Sequence, residues 1–168
     1  MEINLFAVVR NRNTGEQRFV EDLVKFCAAK PQELIGKELF VLRNLSRGKG
    51  VGFFEGTGFY PDFLLWITEK DKQRLVFVEP HGLLRDDHPR VNPKVNLHKR
   101  LKAAMASSLK NLRQRDLSVD SFVISVTPYD EIRTRIVDEA GPWSRKQFAD
   151  AHILFFGGLE YLATIVSE

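Results

Sequence analysis

Residues 58–82 read GFYPDFLLWITEKDKQRLVFVEPHG. Two apolar runs, Phe63–Ile67 and Leu75–Val78, flank the charged tetrapeptide Glu69-Lys70-Asp71-Lys72. That pattern reads as two strands and a turn. If Lys70-Asp71 is a two-residue turn, Glu69 faces Lys72, Trp66 faces Leu75, Leu64 faces Phe77 and Asp62 faces Glu79. Alternation along a strand then turns Asp62, Glu79 and His81 to one face. Phe63, Leu65 and Ile67 lie on the other face with Val76 and Val78. Both faces are apolar, so the hairpin belongs in the middle of a sheet with its carboxylates at one end.

Working outward, Asn4–Arg10 is a short strand, and Asn11–Gly15 is turn chemistry. Phe19, Val20, Leu23, Val24 and Cys27 recur at helical spacing between Gly15 and Lys30, and Pro31 stops the pattern. Lys37–Arg43 is a strand, followed by the glycine-rich basic loop Asn44–Gly52. Beyond the hairpin, a proline-marked loop runs to about Pro93. A long basic helix is predicted over Lys94–Arg115 and a strand over Val119–Thr127. A short helix near Ser144–Asp150, a strand at His152–Phe156 and a closing helix from Leu159 to about Val166 complete the order. The class is α/β, a sheet layered with helices.

The 168 residues suffice for one domain with a sizeable core, so residues 1–168 are read as a single domain. There are 25 basic and 22 acidic side chains, and the net charge of +3 is too mild to identify a polyanionic partner. The lone cysteine, Cys27, excludes an internal disulfide and a multi-cysteine zinc site. No apolar run approaches the roughly 18 residues of a membrane span, and Met1-Glu2-Ile3-Asn4 is not the basic start of a signal peptide. A soluble, cytoplasmic protein is the expectation.

The paired acids carry the chemistry. Directly opposed Cβ atoms lie about 4.5–5.5 Å apart, where two carboxylates repel and a cation is wanted between them. Hard divalent ions take oxygen ligands, and magnesium is typically held by one or two carboxylates with phosphate and water. Such an ion lowers the pKa of a bound water and neutralises charge on a phosphate oxygen. Asp62 and Glu79 are therefore candidate ligands for Mg2+ or Mn2+ in phosphodiester hydrolysis. Glu16 shares a helix face with Phe19, Val20 and Leu23 and is a third candidate acid; Glu21 is a less favoured substitute. Arg47 and Lys49, among glycines, suit close approach of a phosphate, and Lys94, Lys99 and Arg100 can track a nucleic-acid backbone. A Walker loop is absent, and Ser107 and Ser108 lack a nucleophile-elbow context. His88, His98 and His152 show no metal-ligand spacing and are read as structural.

These residues resemble the PD-(D/E)xK nuclease superfamily. Pro61-Asp62 matches its strand-opening Pro-Asp, Glu79-Pro80-His81 stands where the acid-x-Lys is found, and Glu16 matches the acid often present on the first helix. The chain looks most like the nuclease-like domain at the C-terminus of DEAD/DEAH-box helicases related to type III restriction enzymes. NLSRGKGVGFFE, FYPDFLLWI, VISVTPYDEIR and HILF carry that likeness, over roughly Thr14–Phe156. The resemblance implies a restriction-endonuclease-like α-β-β-β-α-β core and a Mg2+- or Mn2+-dependent endonuclease acting on DNA. Asp62 and Glu79 would hold the metal with the Pro80 carbonyl, and Glu16 would assist. It also implies a helicase or translocase partner and a setting in restriction or phage defence.

His81 departs from the family lysine. Two readings follow: His81 positions or activates the attacking water, or it marks a domain that binds nucleic acid, or a helicase, without cutting.

Overall fold

The computed structural model describes residues 4–6, 14–44, 60–108 and 116–167, with the backbone alone for residues 4–6. In chain order the elements are β1 (Asn4–Phe6), α1 (Thr14–Ala28), a 3₁₀ turn (Gln32–Leu34), β2 (Glu38–Arg43), β3 (Phe63–Glu69) and β4 (Lys72–His81). Then follow α2 (Leu97–Ser108), β5 (Leu117–Ser125), α3 (Tyr129–Ile132), β6 (Val137–Asp138), β7 (Gly141–Pro142), α4 (Arg145–Asp150), β8 (Ile153–Phe155) and α5 (Glu160–Ser167). The fold is α/β, with one central mixed sheet flanked by helices.

The hairpin takes the expected register: Glu69 lies opposite Lys72, Trp66 opposite Leu75 and Leu64 opposite Phe77. Lys70 turns the chain with φ 52°, in the left-handed region that tight hairpins use. β2 adds antiparallel to β3, and β1 adds parallel to β2. On the other side β5 is parallel to β4, and β8 is parallel to β5. The sheet order is β1-β2-β3-β4-β5-β8, so the hairpin occupies its centre. The parallel step from β4 to β5 needs a crossover, which α2 supplies.

Alternation sorts the core. Phe63, Leu65, Ile67, Val76, Val78, Phe122 and Ile124 pack on one sheet face against Phe19 and Leu23 of α1 and Leu162 and Ile165 of α5. On the opposite face Phe77 packs beneath Leu97 and Leu101 of α2. A third cluster joins Val123 and Ile153 to Ile132, Trp143 and Phe148. α4 starts with a complete capping box between Ser144 and Gln147, which satisfies the donors a helix start leaves open.

Several expectations need correction. The basic helix begins at Leu97 rather than Lys94, because Asn92 accepts the Lys94 and Val95 N–H groups on its side-chain oxygen and holds the chain in a turn. Its expected end at Arg115 lies outside the described residues, as do Arg47, Lys49 and most of the glycine-rich loop. The second hairpin face is only partly covered. α2 lies over β4 and β5, and Trp66 keeps 46% of its surface exposed beside Phe40. Between the expected strand at Val119–Thr127 and the expected helix near Ser144, the chain also forms α3 and the β6–β7 ribbon. No helix among the described residues is long and apolar enough to cross a membrane.

Candidate active site

The acid pair sits where β3 begins and β4 ends. Asn44, just after β2, fixes that corner twice: its side chain donates to the Pro61 carbonyl and its backbone N–H to the Asp62 carbonyl, each at 2.8 Å. The Asp62 N–H in turn donates to Glu79 Oε2 at 3.1 Å. Glu79 is 8% exposed and Asp62 is half-buried. Burial first, then the charge of Glu16, pushes the Asp62 carboxyl up to about 6. Burial and the charge of Asp62 push Glu79 up to about 7. Two acids that resist ionising together form a site asking for positive charge.

That charge comes from Lys94. Its Nζ lies 3.3 Å from Glu79 Oε1 and 3.3 Å from both ring nitrogens of His81. Lys94 lies before the helix on which the sequence pattern predicts it. The turn before α2 instead aims it into the acid pair. His81 is also held by Asp86, whose carboxylate oxygens lie 3.2 and 3.1 Å from Nε2. Nε2 thus lies between the Asp86 carboxylate and the Lys94 ammonium, while Nδ1 faces Lys94 and, at 3.9 Å, Glu79 Oε1. Asn92, only 3% exposed, closes the circuit by donating to Asp86 Oδ2 at 2.9 Å. The same Asn92 therefore orients Asp86 with its nitrogen and shapes the Lys94 turn with its oxygen.

Glu16 is buried in the first turn of α1, paired with Arg43 of β2 through Nη2 at 2.6 Å and Nε at 2.9 Å. Its charge reaches Asp62, while its carboxylate is engaged by the guanidinium. Glu21 is exposed and accepts from Gln17, apart from the pair. Lys99 bonds to Asn96 and Arg100 to the Pro93 carbonyl, and among the described residues no contact joins either to Asp62 or Glu79.

A second titratable cluster lies along α2, β5 and the start of β8. The His98 and His152 rings stack at 3.8 Å and 2°, and His152 Nδ1 lies 3.1 Å from Asp120 Oδ1. Two concavities, of about 360 and 410 Å³, lie at the hairpin's far end around Lys72–Arg74 and at the Lys30–Lys37 turn, away from the acid pair.

Among the described residues no three His, Cys, Asp or Glu side chains form a ready metal cage. Asp62 and Glu79 offer the one or two carboxylates that suffice for a Mg2+ ion completed by water and phosphate. Compared with family models, curated proteins and solved structures, the chain has no significant match. Sequence reasoning missed Arg43, Asp86, Asn92 and the direction of Lys94. The Asn92-Pro93 dipeptide was a readable signal for a turn there.

Proposed function

We propose that the protein is a Mg2+- or Mn2+-dependent endonuclease domain that hydrolyses phosphodiester bonds in DNA. The observation that carries this reading is the contact between Asp62 N–H and Glu79 Oε2, with the Lys94 ammonium on the other Glu79 oxygen. Two crowded carboxylates and one cation at a sheet's open end suit a phosphate that must be held, neutralised and attacked. The order of α1, antiparallel β2-β3-β4, α2 and β5 supports a restriction-endonuclease-like core.

Asp62 and Glu79 would hold the divalent ion. When bound, the ion would acidify a water and draw charge from a phosphate oxygen. Lys94 takes the place of the lysine that the family carries where His81 stands here. From there its ammonium can meet a phosphate oxygen, while His81, fixed by Asp86, offers Nδ1 to a water proton. One P–O bond forms to the water oxygen, one breaks, and the departing alkoxide takes up a proton. Arg43 holds Glu16 beside the pair, where it adds negative charge. Arg47 and Lys49 of the glycine-rich loop would contact the DNA backbone. A helicase or translocase partner and a role in restriction or phage defence rest on the family resemblance alone.

A binding module without catalysis is the second reading, favoured by the histidine, His81, that stands two residues after Glu79 where the resembled family carries its lysine. Incubation with plasmid, linear duplex and single-stranded DNA in Mg2+ or Mn2+ separates the two. Cutting that disappears in Asp62→Ala supports the nuclease. Cutting that persists in Asp62→Ala is contamination, and retained salt-sensitive binding without cutting supports the module.

A further inference from the structure

Both oxygens of Glu79 are already engaged. Oε2 accepts the Asp62 N–H at 3.1 Å, and Oε1 faces the Lys94 ammonium at 3.3 Å. A divalent ion that uses Glu79 therefore meets a resident positive charge. Glu79 does not hold that charge alone, because His81 lies 3.3 Å from the same ammonium, Asp86 holds His81, and Asn92 holds Asp86. Asn92 also bonds the Lys94 backbone N–H at 2.9 Å, so one buried side chain governs both ends of the circuit.

We propose that Lys94 is the resident counter-ion of the Asp62–Glu79 pair, held in place by the Asn92–Asp86–His81 chain, and that a divalent cation must displace it from Glu79 to bind. The proposal rests on the metal-site reading above and adds a device that sets the site's metal affinity. A unit charge in a partly buried site acts far more strongly than on the surface, so the competition is substantial. The lysine's flexible four-carbon stem lets the displaced ammonium swing toward an incoming phosphate. Asp86 and Asn92 are positioning residues in this scheme: they act on the metal only through His81 and Lys94.

The test measures Mn2+ binding to the whole chain by calorimetry, with free Mn2+ read independently by electron paramagnetic resonance. Lys94→Met should bind Mn2+ about tenfold or more tightly than the parent. Asp86→Asn should weaken binding in the Lys94→Met background, where only its lost charge counts, and should raise the affinity in the parent, where it also loosens Lys94. Equal effects in the two backgrounds would show Asp86 to be a bystander charge and overturn its positioning role. A second readout needs no metal. In EDTA at neutral pH, Lys94→Met should lower the thermal midpoint, and by less once Asp62→Asn has removed the repulsion. Mn2+ binding that requires Asp62 but is unchanged or weaker in Lys94→Met sinks the counter-ion while leaving the metal site standing. No binding in either protein sinks the metal site and the displacement together.

Discussion

The backbone N–H of Asp62 donates to Glu79 Oε2, so the two strands of the hairpin are tied at their open end through an acid rather than through an apolar pair. Both carboxyls have folded pKa values above their ordinary ones, Asp62 about 6 against 3.8 and Glu79 about 7 against 4.5. Groups shifted upward in this way stabilise the fold fully below their unfolded values, and that contribution is lost as pH rises through the folded ones. The pair should therefore cost stability between about pH 4 and 7. Asp62→Asn should gain about 1 kcal/mol at pH 7.5 and nothing at pH 4, while abolishing cleavage. Urea titrations at both pH values check it; an equal gain at pH 4 would remove the electrostatic explanation.

That hairpin was legible because a period of two and apolar rows on both faces mark two adjacent strands, whereas its register hung on Lys70-Asp71 making a two-residue turn, a weak turn pair that a different loop length would have replaced. Its electrostatic neighbourhood was not. Lys94 follows Glu79 by fifteen residues across a proline-marked loop, and only the turn built on Asn92 brings the two together. Basic residues after Pro93 read naturally as a solvated helix face. The coverage of Trp66 was equally hidden, because alternation identifies an apolar face without saying how far a helix extends over it. Glu16 was placed on the buried side of α1 by spacing alone, but its partner Arg43 sits on a different element, beyond the reach of any local pattern.

The Glu16–Arg43 pair gives a prediction on stability. Glu16 is almost wholly buried, and Arg43 keeps about a quarter of its side-chain surface. Removing one partner leaves the other charge poorly solvated, so Glu16→Gln should destabilise by about 1–3 kcal/mol. Arg43→Met should cost as much and should raise the Asp62 pKa further, because the guanidinium is among the charges that lower it. The double variant should cost less than the sum. Strict additivity in a double-mutant cycle would mean the two side chains act independently.

The stacked imidazoles predict an opposite pH response. Burial first, then His152, lowers His98 to about 4 from 6.5, while the Val95 carbonyl and Asp120 partly support its charged form and Lys102 opposes it. A base whose folded pKa is depressed gives stability that is present above the unfolded value and lost as pH falls toward the folded one. The loss should run from about pH 6.5 down to 4. His98→Gln should flatten that limb, and His98 imidazole shifts followed by NMR should titrate well below those of an unfolded peptide. An ordinary midpoint near 6.5 would dismiss the account.

Lys94 and His81 yield a prediction that separates position from residue type. If the ammonium at Glu79 is what the site needs, Lys94→Met should lower cleavage by about 10²–10³-fold, the scale of one lost electrostatic contact to a developing charge. His81→Lys alone should not raise activity, because its new ammonium would stand against Lys94, and the two like charges would compete for one Glu79 oxygen. In the Lys94→Met background the same substitution should restore activity, since a cation is again supplied from the strand that carries Glu79. Rates on a metal-saturated plasmid substrate check both arms. Rescue that fails while Mn2+ still binds would mean that the place of Lys94 on its own turn, and not its charge alone, is required.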